Sequence, residues 1–141
     1  GGAGAASSRG AGSAGQSMAG TYDPDSWPAC WVLEVLARTG SAAEFYRSPP
    51  WRRLSAHVRR EQHHQCYCHL HPEEFPHLRG QRPAIVRAAV VHHVHPLRQR
   101  PDLALSEVDE AGRPNLICVC ATCHWPLDHP GQQLPDIPER W

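Results

Sequence analysis

Residues 84–94 read AIVRAAVVHHV, and residues 115–124 read NLICVCATCH. The first stretch mixes β-branched with small residues and predicts a strand that ends at His92 and His93. Residues 115–119 predict a second short strand. Neighbouring residues on an extended segment point to opposite sides, so two adjacent histidines can serve two tasks. One can bind a metal while the other reaches a water. Behind the second strand, Cys120 and Cys123 form a C-x-x-C pair, a zinc half-site because both thiolates can reach one tetrahedral ion. The other half lies upstream, in Cys66-Tyr67-Cys68-His69. Cys66 with Cys68 is the first choice, and Cys66 with His69 restores the two-residue gap. Cys30 and Cys118 sit in apolar sequence and read as plain core residues.

Outward from these motifs the chain is helical on one side and irregular between the strands. Residues 31–38 (WVLEVLAR) have the pattern of a short amphipathic helix stopped by Gly40. Ser41 and Glu44 have the spacing of a capping box, which opens a second helix carrying Phe45 and Tyr46. Ser48-Pro49-Pro50 is a third start signal, with proline in the first turn where its missing N–H costs nothing. The helix that follows runs to about Glu61, with Trp51, Leu54 and Val58 on one face. Arg52, Arg53, Arg59 and Arg60 fall largely off that stripe. Residues 62–83 read as a metal-bearing loop rich in His and Pro. Residues 95–114 form a long connection broken by Pro96, Pro101 and Gly112. Thr122 is the expected cap of a final short helix through Trp125 and Leu127, with Pro126 acceptable only in its first turn.

Composition limits what the chain can do. Its 141 residues fit one domain. Residues 1–21 are almost all Gly, Ala and Ser, which cannot repay the entropy of ordering and read as a disordered tail. They lack the apolar core of a signal peptide, and no run of about 18 apolar residues follows. The expectation is therefore a cytoplasmic protein that makes no membrane contact. Close cysteine pairs then read as metal ligands rather than disulfides. The net charge is zero, but residues 47–100 hold ten Arg against Glu61, Glu73 and Glu74. That block suits a polyanion, and Arg, the sole strong base here, grips phosphate bidentately. The predicted track is Arg52, Arg53, Arg59 and Arg60, extended by Arg79, Arg82, Arg87, Arg98 and Arg100.

Taken in order, V-V-His92-His93-V-H-P-L, Asn115-L-x-x-V-Cys120-x-x-Cys123-His124 and the lead-in Phe45-Tyr46-x-Ser48-x-x-Trp51-Arg52-x-Leu54 resemble the HNH endonucleases common in phages and prophages. The resemblance covers roughly residues 45–131. It implies an α+β fold with a ββα-metal (HNH, or His-Me finger) core and a structural zinc site, preceded by short α-helices. By resemblance His92 is the first metal ligand, His93 the general base, Asn115 the residue that holds the base loop, and His124 the second metal ligand. The third ligand is placed four residues beyond His124, at Asp128, with His129 the neighbouring alternative. The structural zinc would take Cys66, Cys68, Cys120 and Cys123.

The implied cofactors are a structural Zn2+ and one catalytic divalent metal, Mg2+, Mn2+, Ni2+ or Zn2+. The implied partner is DNA, duplex or nicked, read with weak sequence preference, in the company of phage packaging proteins within a bacterial host. The expected organisation is a tail over 1–21, a helical extension over 22–46, the nuclease domain over 47–131 and a tail over 132–141. Two other readings compete. A non-catalytic zinc module that binds nucleic acid would need neither His93 nor Asn115. A metal-storage protein would have no use for the arginine block.

Overall fold

The computed structural model describes residues 22–129, so the readings of 1–21 and 132–141 as tails fall outside the described residues. These residues form a mixed α and β fold in two compact units. One comprises residues up to Ala56 with His93–Leu116, and the other His57–His92 with residues from Ile117 onward.

In the first unit, helix α1 spans Ala29–Thr39 and buries Ala29, Val32, Val35 and Leu36, a stripe with helical spacing. Gly40 ends it with a φ of 71°, the left-handed conformation that glycine adopts without steric penalty, and its amide bonds the Leu36 carbonyl at 2.8 Å. Helix α2 spans Ala43–Arg47. Its expected capping box does not form, because Ala42 takes the cap position. Ser41 Oγ accepts the Ala43 amide at 3.0 Å, but Glu44 forks onto Arg38 at 2.9 and 3.1 Å instead of turning back. Helix α3 spans Pro49–Glu61, and its buried positions are Trp51, Ser55 and Val58. Helix α1 packs on α2 and on a 3-10 turn at Pro101–Leu103. Phe45 is fully buried at the centre, between Trp31, Tyr46 and Trp51.

The long connection 95–114 is an ordered structure of its own. Asp109 Oδ1 accepts the amides of Ala111 and Arg113, each at 2.9 Å, and closes a turn in which Gly112 has a φ of 80°. Arg100 departs from the phosphate track expected of it. It is 5% exposed and held by Asp102 at 2.8 Å and Glu110 at 3.2 Å. Those two carboxylates raise its pKa further, so it is a fixed internal cation.

Strand β1 spans Val90–His93 and β2 spans Leu116–Val119, paired as an antiparallel two-stranded sheet. Ala89 donates to the Val119 carbonyl at one end, and Val94 donates to the Asn115 carbonyl at the other. The strand expected over 84–94 is shorter because its first half pairs elsewhere. The Ala84 and Ala88 amides bond the carbonyls of His69 and His64, and Cys66 bonds the Val86 carbonyl. Two successive left-handed residues, His63 and His64, swing the chain from α3 into that pairing. A short helix, α4, follows over Tyr67–Leu70.

Helix α5 spans Ala121–Asp128 and starts one residue before the expected cap. Cys120 takes the cap position, and the Thr122 hydroxyl lies 3.2 Å from the Cys120 sulfur instead of capping. Pro126 falls in the second turn and so removes one rung of the helical ladder. Cys118 is buried as expected, whereas Cys30 is exposed, on the face of α1 opposite its apolar stripe. No helix among the described residues is long and apolar enough to cross a membrane.

Phe45 joins two helices of the first unit, so Phe45→Ala is expected to destabilise the protein by about 3–5 kcal/mol in denaturant unfolding. A loss below about 1 kcal/mol would mean that this core is not what holds the unit together.

Candidate metal and general-base sites

His93 ends β1 and is 6% exposed. Its Nε2 lies 2.9 Å from the Ala104 carbonyl. A carbonyl only accepts, so Nε2 carries the proton and Nδ1 keeps its lone pair. The Tyr46 hydroxyl lies 3.3 Å from that Nδ1 and donates to it. Trp51 stacks on the ring at 4.8 Å between centroids, and Phe45 lies at 6.0 Å. Burial among these rings lowers the His93 pKa, which the Ala104 bond opposes, so the imidazole stays neutral near pH 7. A neutral imidazole with one nitrogen fixed as donor and the other basic can accept a proton in one direction only.

Asn115 builds this arrangement. It is fully buried, immediately before β2. Its Nδ2 donates to the Leu103 carbonyl at 2.9 Å and the Ser106 carbonyl at 3.0 Å, and its Oδ1 accepts the His95 amide at 3.1 Å. One side chain thus ties the chain just after His93 to the turn that presents the Ala104 carbonyl. His95 is anchored in the same loop, with Nε2 3.0 Å from Asp109 Oδ2, and this bond holds the Asp109 carboxyl below its ordinary range.

In the second unit, ligand atoms of His92, His124 and Asp128 all lie within 4.8 Å of one another. Asp128 bridges the two histidines, with Oδ1 3.4 Å from His92 Nδ1 and Oδ2 3.0 Å from His124 Nε2. Residues 124 and 128 share a helix face because they are one turn apart on α5. His129, the other residue expected here, turns away. Its Nδ1 lies 2.9 Å from the Trp125 carbonyl, and its ring stacks on Trp125 at 4.0 Å. Two imidazoles and a carboxylate are a donor set that suits Mn, Fe, Ni or Zn, so the residues fit a divalent metal.

The four expected zinc cysteines are all buried within one apolar cluster with Leu78, Ile117 and Val119. Ligand atoms of Cys66, His69, Cys120 and Cys123 lie mutually within 4.8 Å, as do those of Cys68, His77 and Cys123. The compact four-donor group therefore includes His69, the alternative to Cys68. Its C-x-x-H and C-x-x-C halves come from the start of α4 and the start of α5. Burial pushes the Cys68 thiol up to about 12 and raises Cys123 as well. Cys120 comes down to about 7. Burial opposes that shift, but hydrogen bonds from the Thr122 hydroxyl, the Cys123 amide and the Cys123 and Cys66 thiols outweigh it. Without a cation, the Cys68 and Cys123 thiols stay protonated in apolar surroundings, which a bound metal would reverse.

Arg52, Arg53, Arg59 and Arg60 are all exposed along α3, as are Arg79, Arg82, Arg87 and Arg98. Three contributors were not picked out in the sequence: Tyr46 and Trp51 against His93, and His77 beside the thiols. The aromatic pair was visible in the lead-in motif, but a packing role has no spacing signature. His77 lies eight residues beyond His69 and meets the thiols only after the 3-10 turns at Pro72–Glu74 and Pro76–Leu78 fold back.

No protein-family model and no curated protein matches the chain. Among solved structures, it is similar to the crystal structure of a deep-sea thermophilic bacteriophage GVE2 HNH endonuclease with manganese ion. The identity is 27%, over 65% of this chain and 83% of that one, with a TM-score of 0.45. The neighbour is a phage nuclease.

Asn115→Ala would remove three hydrogen bonds at once, a buried one to the Leu103 carbonyl and part-buried ones to the Ser106 carbonyl and the His95 amide, at about 0.5–1.5 kcal/mol each. The variant is expected to lose at least about 1.5 kcal/mol in denaturant unfolding, and Asn115→Asp should not restore it, because a carboxylate cannot donate to carbonyls. Wild-type stability in Asn115→Asp would remove Asn115 from the role of loop anchor.

Proposed function

We propose that the chain is a metal-dependent endonuclease of the HNH type that hydrolyses DNA phosphodiester bonds. One observation carries the reading: consecutive histidines on one strand have opposite chemistry. His92 faces a histidine and a carboxylate, whereas His93 is a buried neutral imidazole with a single basic nitrogen. A structural histidine pair has no need of that division.

In this scheme His92, His124 and Asp128 hold the catalytic metal, Mg2+, Mn2+, Ni2+ or Zn2+. When bound, the metal neutralises the phosphate and stabilises the departing 3′ oxygen. His93 Nδ1 accepts the proton of the attacking water. The Ala104 carbonyl fixes the tautomer that makes this possible, and Trp51 fixes the plane of the ring. Tyr46 holds the basic nitrogen by a hydrogen bond that an incoming water would replace. Asn115 acts through position, because it anchors the loop that carries Ala104. Structural Zn2+ on Cys120, Cys123, Cys66 and either His69 or Cys68 would fasten α4 to α5. The exposed arginines of α3 are the phosphate track, with weak sequence preference, since phosphate contacts carry no base information. Residues 47–131 form the nuclease domain and 22–46 the helical extension. A phage or prophage origin, action in the bacterial cytoplasm and work beside packaging proteins complete the reading. The non-catalytic zinc module is disfavoured because it has no use for the Tyr46–His93–Ala104 arrangement.

The roles predict different failures. His92→Ala should weaken binding of the catalytic metal, and excess metal should restore part of the rate. His93→Ala should keep metal and DNA affinity but slow single-turnover cleavage about 10²–10⁴-fold. Calorimetric metal titration beside single-turnover kinetics separates them, and a His93→Ala protein as fast as the wild type would end the scheme.

A further inference from the structure

The four-donor group accounts for Cys66, His69, Cys120 and Cys123 and leaves Cys68 and His77 over. A tetrahedral zinc with four protein ligands is closed and takes no fifth or sixth donor. Yet Cys68 is fully buried, and its ligand atom shares a 4.8 Å cluster with those of His77 and Cys123. His77 is the odd member of the second unit. Its Nε2 is buried without a hydrogen-bond partner, alone among the side-chain polar atoms of the described residues. Buried polar groups are nearly always satisfied, and an unsatisfied one is destabilising. Neighbouring rings offer no remedy, since Phe75 meets His77 edge-on at 6.0 Å between centroids.

We infer that the cysteine cluster holds two zinc ions rather than one, the second on Cys68, His77 and Cys123, with the Cys123 thiolate bridging both. The two donor sets are disjoint except for Cys123, the residue that lies within reach of every donor in each. A thiolate has lone pairs enough to bind two metals at once. Three protein donors leave the second ion one position for water, so it is the more exchangeable of the two. Bridging also answers a charge problem. Four thiolates and two neutral imidazoles around two Zn2+ sum to zero, whereas one zinc with all four thiolates ionised would leave a buried charge of −2. Each thiol still protonated loses its proton to solvent as metal enters, so loading releases protons. The proposed site also gives the 71–78 segment its reason to fold back, because His77 would fasten it to α5.

The inference rests on the zinc reading of the first four donors, and metal counting separates the two. The full-length chain carrying His92→Ala, which disables the proposed catalytic site, is purified with zinc and its content measured by elemental analysis. About two zinc per chain are expected, falling to about one in His92→Ala/Cys68→Ala and in His92→Ala/His77→Phe, with circular dichroism unchanged. The lost ion should also be the one a weak chelator strips first from the parent. One zinc in the parent, kept in both double variants, would overturn the second site and leave the first standing. No zinc in the parent would overturn both. If a double variant fails to fold, the parent's own content of one or two still decides.

Discussion

Everything functional here depends on one short piece of extended backbone. On a strand, successive side chains leave in opposite directions, so His92 and His93 cannot share a partner. The pairing of β1 with β2 holds that alternation, since a slip of one residue would exchange the two histidines. The register is held at both ends, by the Ala89 amide on the Val119 carbonyl and the Val94 amide on the Asn115 carbonyl. Asn115 does double duty there, because its side chain also binds the chain beyond His93 and the loop facing it.

The surroundings make the two imidazoles different reagents. His93 is buried against rings and a carbonyl, which disfavours its cation and leaves one nitrogen basic. His92 is 11% exposed in its side chain and faces a carboxylate that is 44% exposed, an open arrangement suited to an exchanging metal. The thiol cluster is the reverse: buried, apolar and crowded with donors. Burial that would make lone thiols inert would make a metal held there durable, because an ion compensates charges that the apolar surroundings otherwise reject.

Much of this was legible in the sequence, for reasons that differ by element. The histidine pair and the C-x-x-C pair carry spacings set by strand geometry and metal reach, so they could be read directly, whereas Asn115 and His124 were singled out by the resemblance to HNH endonucleases. Helix α1 was legible from its apolar stripe and from Gly40. The sequence left the third donor beside His92 and His124 open between Asp128 and His129; in the structure Asp128 lies beside His124, one turn along the same face, while His129 turns to Trp125. The half-strand lost over 84–89 was hidden because β propensity does not say which partner will pair. Arg100 looked like its exposed neighbours until the fold brought Asp102 and Glu110 to it. Thr122 looked like a cap, but the helix begins a residue earlier, where a cysteine stands. The approach of His77 to the thiols is a tertiary event, and no local pattern announces it.

The most direct measurement is conversion of supercoiled plasmid to nicked or linear DNA by the purified chain, in each divalent metal in turn and in excess chelator. The expected result is cleavage with at least one of Mg2+, Mn2+, Ni2+ or Zn2+ and none in chelator. Plasmid left supercoiled in every metal, at protein concentrations that visibly bind it, would contradict the assignment of His92 and His93 to phosphodiester hydrolysis.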